Sequence, residues 1–167
     1  MSTSKLWCVF YTYPRAEKIA NEELIKNSYE TFLPTMKTLK VWKNRQKKEI
    51  DRVLFPGYIF VNVCMSEIFN VLKMSKIVSY VKYDRKPALI RQSEIDKIKT
   101  LIGLSPNISV ISDFTINEKV RVISGPLYGY EGILILQKGK TRFGLQINEI
   151  NQTVFIEVNA NIIEKIK

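Results

Sequence analysis

The chain reads as an α+β protein in two parts: an N-terminal α/β domain with helices over a mostly antiparallel sheet, and behind it a small five-stranded β-barrel. Three observations predict that architecture. Segments of strand-like alternation and of helical spacing succeed one another up to residue 104, in the order strand, helix, strands, helix, strand, helix. Beyond residue 113 helical spacing vanishes and short β-branched runs recur between turn residues. The stretch 105–113, with Ser105-Pro106-Asn107, is polar enough for a linker and separates domains at 1–104 and 114–167.

The first strand, 6–13, carries Trp7, Val9, Tyr11 and Tyr13 on one side and Leu6, Cys8, Phe10 and Thr12 on the other, and Pro14 ends it. Residues 15–27 place Ala16, Ile19, Ala20 and Leu24 on one helical face, with Glu17, Lys18, Glu22, Glu23 and Lys26 expected outward. Two strands follow, 29–41 and 49–63, joined through a basic segment. Inside the second, Pro56-Gly57 forces a bend, because proline fixes φ and glycine tolerates positive φ. The strand then resumes with Ile59, Val61 and Val63 on one face and Phe60 on the other, leaving Phe55 and Tyr58 expected near its exposed end.

Ser66 opens a short helix with Met65, Phe69 and Leu72 on one side, and 77–83 is a further strand. Arg85-Lys86-Pro87 turns the chain into Ala88-Leu89-Ile90. Ser93 with Asp96 resembles a capping box for a helix that turns Ile95, Ile98, Leu101 and Ile102 inward and stops at Gly103. The barrel strands are expected at 119–123, 132–137, 141–147, 153–158 and 162–166; five short strands close most simply into a barrel, which hides their edges.

Composition narrows the function. With 46% hydrophobic and 25% charged residues the chain is globular, and no apolar run approaches the roughly 20 residues that cross a bilayer. No membrane association is expected, and a cytoplasmic location follows. The sequence has no histidine, and Cys8 and Cys64 lack a spacing partner, so neither a metal site nor a catalytic set suggests itself. Phosphate-loop, dinucleotide and nucleophile-elbow motifs are absent too. The chain is therefore read as a non-enzyme that calls for no cofactor.

The net charge of +10 is unevenly spread. Through residue 106 there are 19 basic and 10 acidic residues, a surplus of +9, whereas beyond it 7 basic residues face 6 acidic ones, a surplus of +1. Lys37, Lys40, Lys43, Arg45, Lys47, Lys48 and Arg52 crowd around Trp42, opposed only by Glu49 and Asp51. Phosphate contact needs such a cluster, since each cation that neutralises a phosphate releases counterions. A hairpin kept soluble by its own charges would look the same.

Val120-Arg121-Val122-Ile123-Ser124-Gly125-Pro126-Leu127-Tyr128-Gly129-Tyr130-Glu131-Gly132 resembles the KOW motif. Gly125, Pro126 and Gly129 suit its tight turns, and Gly132 suits a place where a side chain would obstruct barrel closure. Together with Trp7, Pro14-Arg15-Ala16-Glu17-Lys18 and Phe55-Pro56-Gly57-Tyr58, it makes nearly the whole chain similar to the NusG family of transcription elongation factors, with an N-terminal NGN domain and an SH3-like KOW barrel. Tyr11-Thr12-Tyr13-Pro14 and Trp42-Lys43-Asn44-Arg45 resemble specialised paralogues more closely, the RfaH-like and UpxY-like antiterminators, the latter associated with surface polysaccharide operons.

The resemblance implies an NGN domain that binds the clamp helices of RNA polymerase through an apolar aromatic patch and suppresses pausing and termination. Tyr11, Phe55 and Tyr58 match the patch, with Trp7 as a supporting core residue. Lys37, Lys40, Lys43, Arg45, Lys47, Lys48 and Lys76 would lie toward upstream or non-template DNA. The KOW domain would recruit a small-subunit ribosomal protein or Rho, and the factor would be a monomer. Its glycines and β-branched strands favour a barrel over the helical hairpin that some RfaH-like members adopt. The alternative is a KOW-containing RNA-binding or ribosome-associated protein; an enzyme acting on nucleic acid is a third reading.

Overall fold

The computed structural model describes residues 4–104, 108–111, 118–137 and 139–166. Strand β1 (Leu6–Thr12) leads into helix α1 (Glu17–Lys26) and the short strand β2 (Glu30–Phe32). Leu33-Pro34 then interrupts the chain before β3 (Thr35–Val41), β4 (Lys47–Val53) and, after the Pro56-Gly57 bend, β5 (Tyr58–Val63). A single 3-10 turn precedes α2 (Ile68–Leu72) and β6 (Ile77–Tyr80). Three two-residue strands, β7 (Lys82–Tyr83), β8 (Lys86–Pro87) and β9 (Leu89–Ile90), lead to α3 (Gln92–Leu104).

The main sheet runs β2-β5-β1-β6, with β9 also paired to β1, and every ladder in it is antiparallel, as expected. Its period of two sorts the side chains. Cys8, Phe10, Ile59, Val61 and Val63 face α1 and α2 and bury with Ala20, Leu24, Ile68, Val71 and Ile77 in one cluster. Each large aliphatic or aromatic side chain so buried contributes about 1.5–3 kcal/mol. The opposite face carries Trp7, Val9 and Tyr11 on β1 beside Tyr58 and Phe60 on β5.

Strands β3 and β4 stand apart from that sheet as their own two-stranded hairpin, in register from Thr35↔Val53 to Val41↔Lys47. The β7–β8 hairpin turns through Asp84 and Arg85, both at positive φ (49° and 62°), the pairing of left-handed residues that a tight two-residue hairpin uses.

The chain divides into two compact units, Met1–Ile95 and Asp96–Lys167. In the second unit, β10 (Ser109–Ile111), β11 (Glu118–Val122), β12 (Glu131–Gln137), β13 (Lys140–Ile147), β14 (Gln152–Glu157) and β15 (Ile163–Lys165) form one antiparallel path in the order β10-β14-β13-β12-β11-β15. The path has six strands and not five, and among the described residues no ladder joins β10 to β15. The added strand lies inside the expected linker: Ser109, Val110 and Ile111 pair with Phe155, Val154 and Thr153. Three residues are too few to show alternation, which hid the strand in the sequence. Residues 105–107 and 112–113 of that linker lie outside the described residues.

Gly132 meets its expected constraint. A Cβ there would overlap the carbonyl oxygen of Gly144 on β13 and come 2.7 Å from the Phe143 ring. Two readings of helix α3 need correction. Its first turn is held by the Arg91 N–H donating to Glu94 Oε2 (3.2 Å), not by Ser93 and Asp96, and the helix continues through Gly103 to Leu104.

Candidate functional site

The Pro56-Gly57 bend is built from inside. Glu17, expected outward on α1, is only 6% exposed, and its Oε1 accepts the Gly57 N–H at 2.7 Å. On the other side of the same residue, the Gly57 carbonyl accepts the Thr12 N–H (2.9 Å), while the Tyr58 N–H donates to the Phe55 carbonyl (3.1 Å). Gly57 sits at φ 84°, in the left-handed region that glycine alone enters without strain. The Glu17 carboxylate satisfies a backbone donor that the bend removes from the ladder. Nothing in the spacing of residues 17 and 57 announces this bond; the sole sequence signal is an acidic residue in the first turn of a helix, which ordinary dipole preference also explains.

The bend separates three aromatics that the sequence grouped. Phe55 is 1% exposed and meets Phe60 edge-on, ring centroids 6.0 Å apart. It therefore cannot present its ring to a partner: the turn directs it under the sheet face, where it is core. Tyr58 is half-buried and lies opposite Tyr11 in the β1–β5 ladder, their rings 5.2 Å apart and tilted by 43°. Tyr11 is 38% exposed. Burial first, and then the neighbouring Tyr11, raise the Tyr58 hydroxyl above the ordinary phenol range, so it is a neutral hydrogen-bonding group at physiological pH. Trp7 is buried and its indole N–H donates to Gln92 Oε1 (2.6 Å), consistent with a supporting place in the core.

The basic residues of the hairpin are exposed. Lys40 stands opposite Lys48 and Val41 opposite Lys47, so like charges meet across the ladder near the tip. Lys37 makes a 3.7 Å ion pair with Glu49, exposed enough to contribute little. At the tip, the Arg45 N–H donates to the Trp42 carbonyl (2.9 Å) and the Trp42 N–H to the Gln46 carbonyl (2.9 Å). Arg45 has φ 62°. The Lys40 ammonium lies 5.4 Å from the centroid of the half-exposed Trp42 ring. Lys76 belongs elsewhere: its carbonyl accepts the Tyr13 N–H (3.1 Å), at the tyrosine end of β1.

In the second unit Gly125 (φ 81°) and Gly129 (φ 80°) turn the chain between β11 and β12, with Pro126 exposed between them. The Gly129 N–H donates back to the Val122 carbonyl (2.8 Å), closing the loop that the KOW-like segment predicts. Cys8 is fully buried and burial pushes its thiol up to about 12; neither cysteine is in a disulfide. Among the described residues no three His, Cys, Asp or Glu side chains gather as a metal would require.

Known proteins resemble this chain along nearly its whole length. The family model described as NusG, transcription termination factor nusG, matches residues 5–99. The chain is 24% identical over 177 residues to the transcription termination/antitermination protein NusG of Halalkalibacterium halodurans, covering 97% of this chain and 99% of that one. To the protein of the same name from Streptococcus pyogenes serotype M1 it is 29% identical over 174 residues, covering 94% of each. Among solved structures, one of Thermotoga maritima NusG, described for its domain interaction, superimposes with a TM-score of 0.54 at 19% identity over 98% of each chain, a likeness of fold alone.

Proposed function

The chain belongs to the NusG family, and we propose from that premise that it acts on transcribing RNA polymerase, docking through Tyr11 and Tyr58 and suppressing pausing and termination. The observation that carries this reading is the tyrosine pair itself, two half-open rings side by side on a sheet face otherwise sealed by Trp7, Val9, Phe55 and Phe60. A processivity factor needs no reactive group. It needs to bind the elongating state of polymerase more tightly than the paused one, and each ~1.4 kcal/mol of that difference shifts the ratio about tenfold. Aromatic anchors supply such energies.

The hairpin cations, in this reading, face upstream or non-template DNA, and the KOW unit takes a small-subunit ribosomal protein or Rho. The names of the relatives carry both termination and antitermination; we assign antitermination, in a paralogue specialised for particular operons such as those for surface polysaccharides, on the Trp42 and Tyr11 segments. The test is binding of Tyr11→Ala/Tyr58→Ala to RNA polymerase. A loss of about thirtyfold or more, corresponding to roughly 2 kcal/mol, with an unchanged circular dichroism spectrum supports docking here; unchanged affinity in a folded variant rejects it. Mapping the protein along the chromosome beside polymerase separates a specialist, confined to one operon class, from a general factor.

A further inference from the structure

We infer that the tip of the β3–β4 hairpin is a binding site for single-stranded nucleic acid, in which the Trp42 indole stacks on an unpaired base and Arg45, Lys47 and Lys48 hold the flanking phosphates. This deepens the assignment of the hairpin to nucleic acid and rests on it, but it is independent of where polymerase docks.

Three features of the tip carry it. Trp42 is 52% exposed, a large and mostly apolar ring left in water at the tip, and the Lys40 ammonium lies over the ring 5.4 Å from its centroid, a cation–π contact that orients the indole. Beside the indole opens a recess of about 470 Å³ lined by Trp42, Asn44, Gln46, Lys47 and Lys48. It thus joins one aromatic face, two cations, the Gln46 amide and the Asn44 amide, whose Oδ1 already accepts the Gln46 N–H (3.2 Å) and so offers its NH2 to the edge of a base. Finally, Arg45 occupies the left-handed position of the turn (φ 62°), where glycine is unstrained and an L residue is disfavoured. An arginine held there against backbone preference places a guanidinium at the tip.

The occupant follows from the chemistry. Bases inside a duplex are stacked on one another and offer no face to an indole, so the site selects unpaired strands. DNA and RNA share that chemistry.

Binding of labelled oligo-dT, oligo-rU and a matching duplex to the full chain tests it, by anisotropy and by tryptophan emission. Trp7 is buried, so quenching on binding reports Trp42. The expected result is tighter binding of single strands than of duplex, with quenching. Trp42→Ala should lose about fivefold or more in affinity, Trp42→Phe should retain most of it, and Arg45→Gly should lower the salt slope by about 0.7. Preference for dT over rU, or the reverse, identifies the natural strand. Equal affinity for duplex and single strand, an unchanged Kd in Trp42→Ala, or no binding at 50 mM salt overturns the site. Should it fail while Tyr11→Ala/Tyr58→Ala still releases polymerase, the stacking site alone falls.

Discussion

Two aromatic turns in the first unit use the same ingredients and end in opposite places. At Phe55–Tyr58 and at Trp42–Gln46 an aromatic residue precedes a residue of positive φ, Gly57 at 84° and Arg45 at 62°. The first turn lies against α1, whose Glu17 reaches in to hold the Gly57 N–H, and its leading ring, Phe55, is sealed beneath. The second closes a two-stranded hairpin that, among the described residues, pairs with no other strand, and its leading ring, Trp42, stays open. Local residue choice makes a turn; what stands across from the turn decides whether its aromatic is mortar or a contact.

Substitutions can break that contrast. Phe55→Ala should have the largest effect, a loss of about 3–5 kcal/mol in urea-monitored stability, as for truncation of a buried aromatic. A loss under about 1 kcal/mol would mean that the ring is not core. Glu17→Ala orphans the Gly57 amide and should remove about 1–3 kcal/mol, while speeding hydrogen exchange at that amide. Gly57→Ala keeps every bond but puts a Cβ in the left-handed region. It has open space around it, so the expected loss is backbone strain alone, roughly 1–2 kcal/mol. At the open turn, Arg45→Gly should move stability by no more than about 1.5 kcal/mol, because strain relief of about 1–2 kcal/mol is offset by about 0.5–1 kcal/mol of added chain entropy. A large destabilisation there would make the two turns alike and refute the distinction.

Periodicity was sufficient for most of the fold. The alternation of Leu6 to Thr12 and the spacing of Ala20 and Leu24 set which face of β1 meets α1, and turn residues marked the strands of the second unit. Exposure was harder to read. Phe55 and Tyr58 are three residues apart around a bend, and alternation does not carry across it to tell which one turns inward; the deciding partners are Phe60, further along β5, and Glu17, which comes from α1. The same holds for β10, whose three residues become a strand only because β14 offers them an edge. Tyr11 and Tyr58 were legible as a pair of candidates, and their contact follows once the β1–β5 register is known.

The first turn of α1 has one more consequence. Next to Glu17, the Lys18 ammonium donates to the Asp51 carbonyl on β4 (2.7 Å), and the Leu54 N–H donates to the Pro34 carbonyl (2.8 Å) across the root of the hairpin. With seven residues in each strand, the arm beyond that root is about 23 Å long. Anchored at one end, it behaves as a cantilever: a tilt of about 10° at the base sweeps the tip through about 4 Å, near the spacing of adjacent strands. The two hydrogen bonds at the root therefore set, through that lever, where the Trp42 ring and the lysines around it stand.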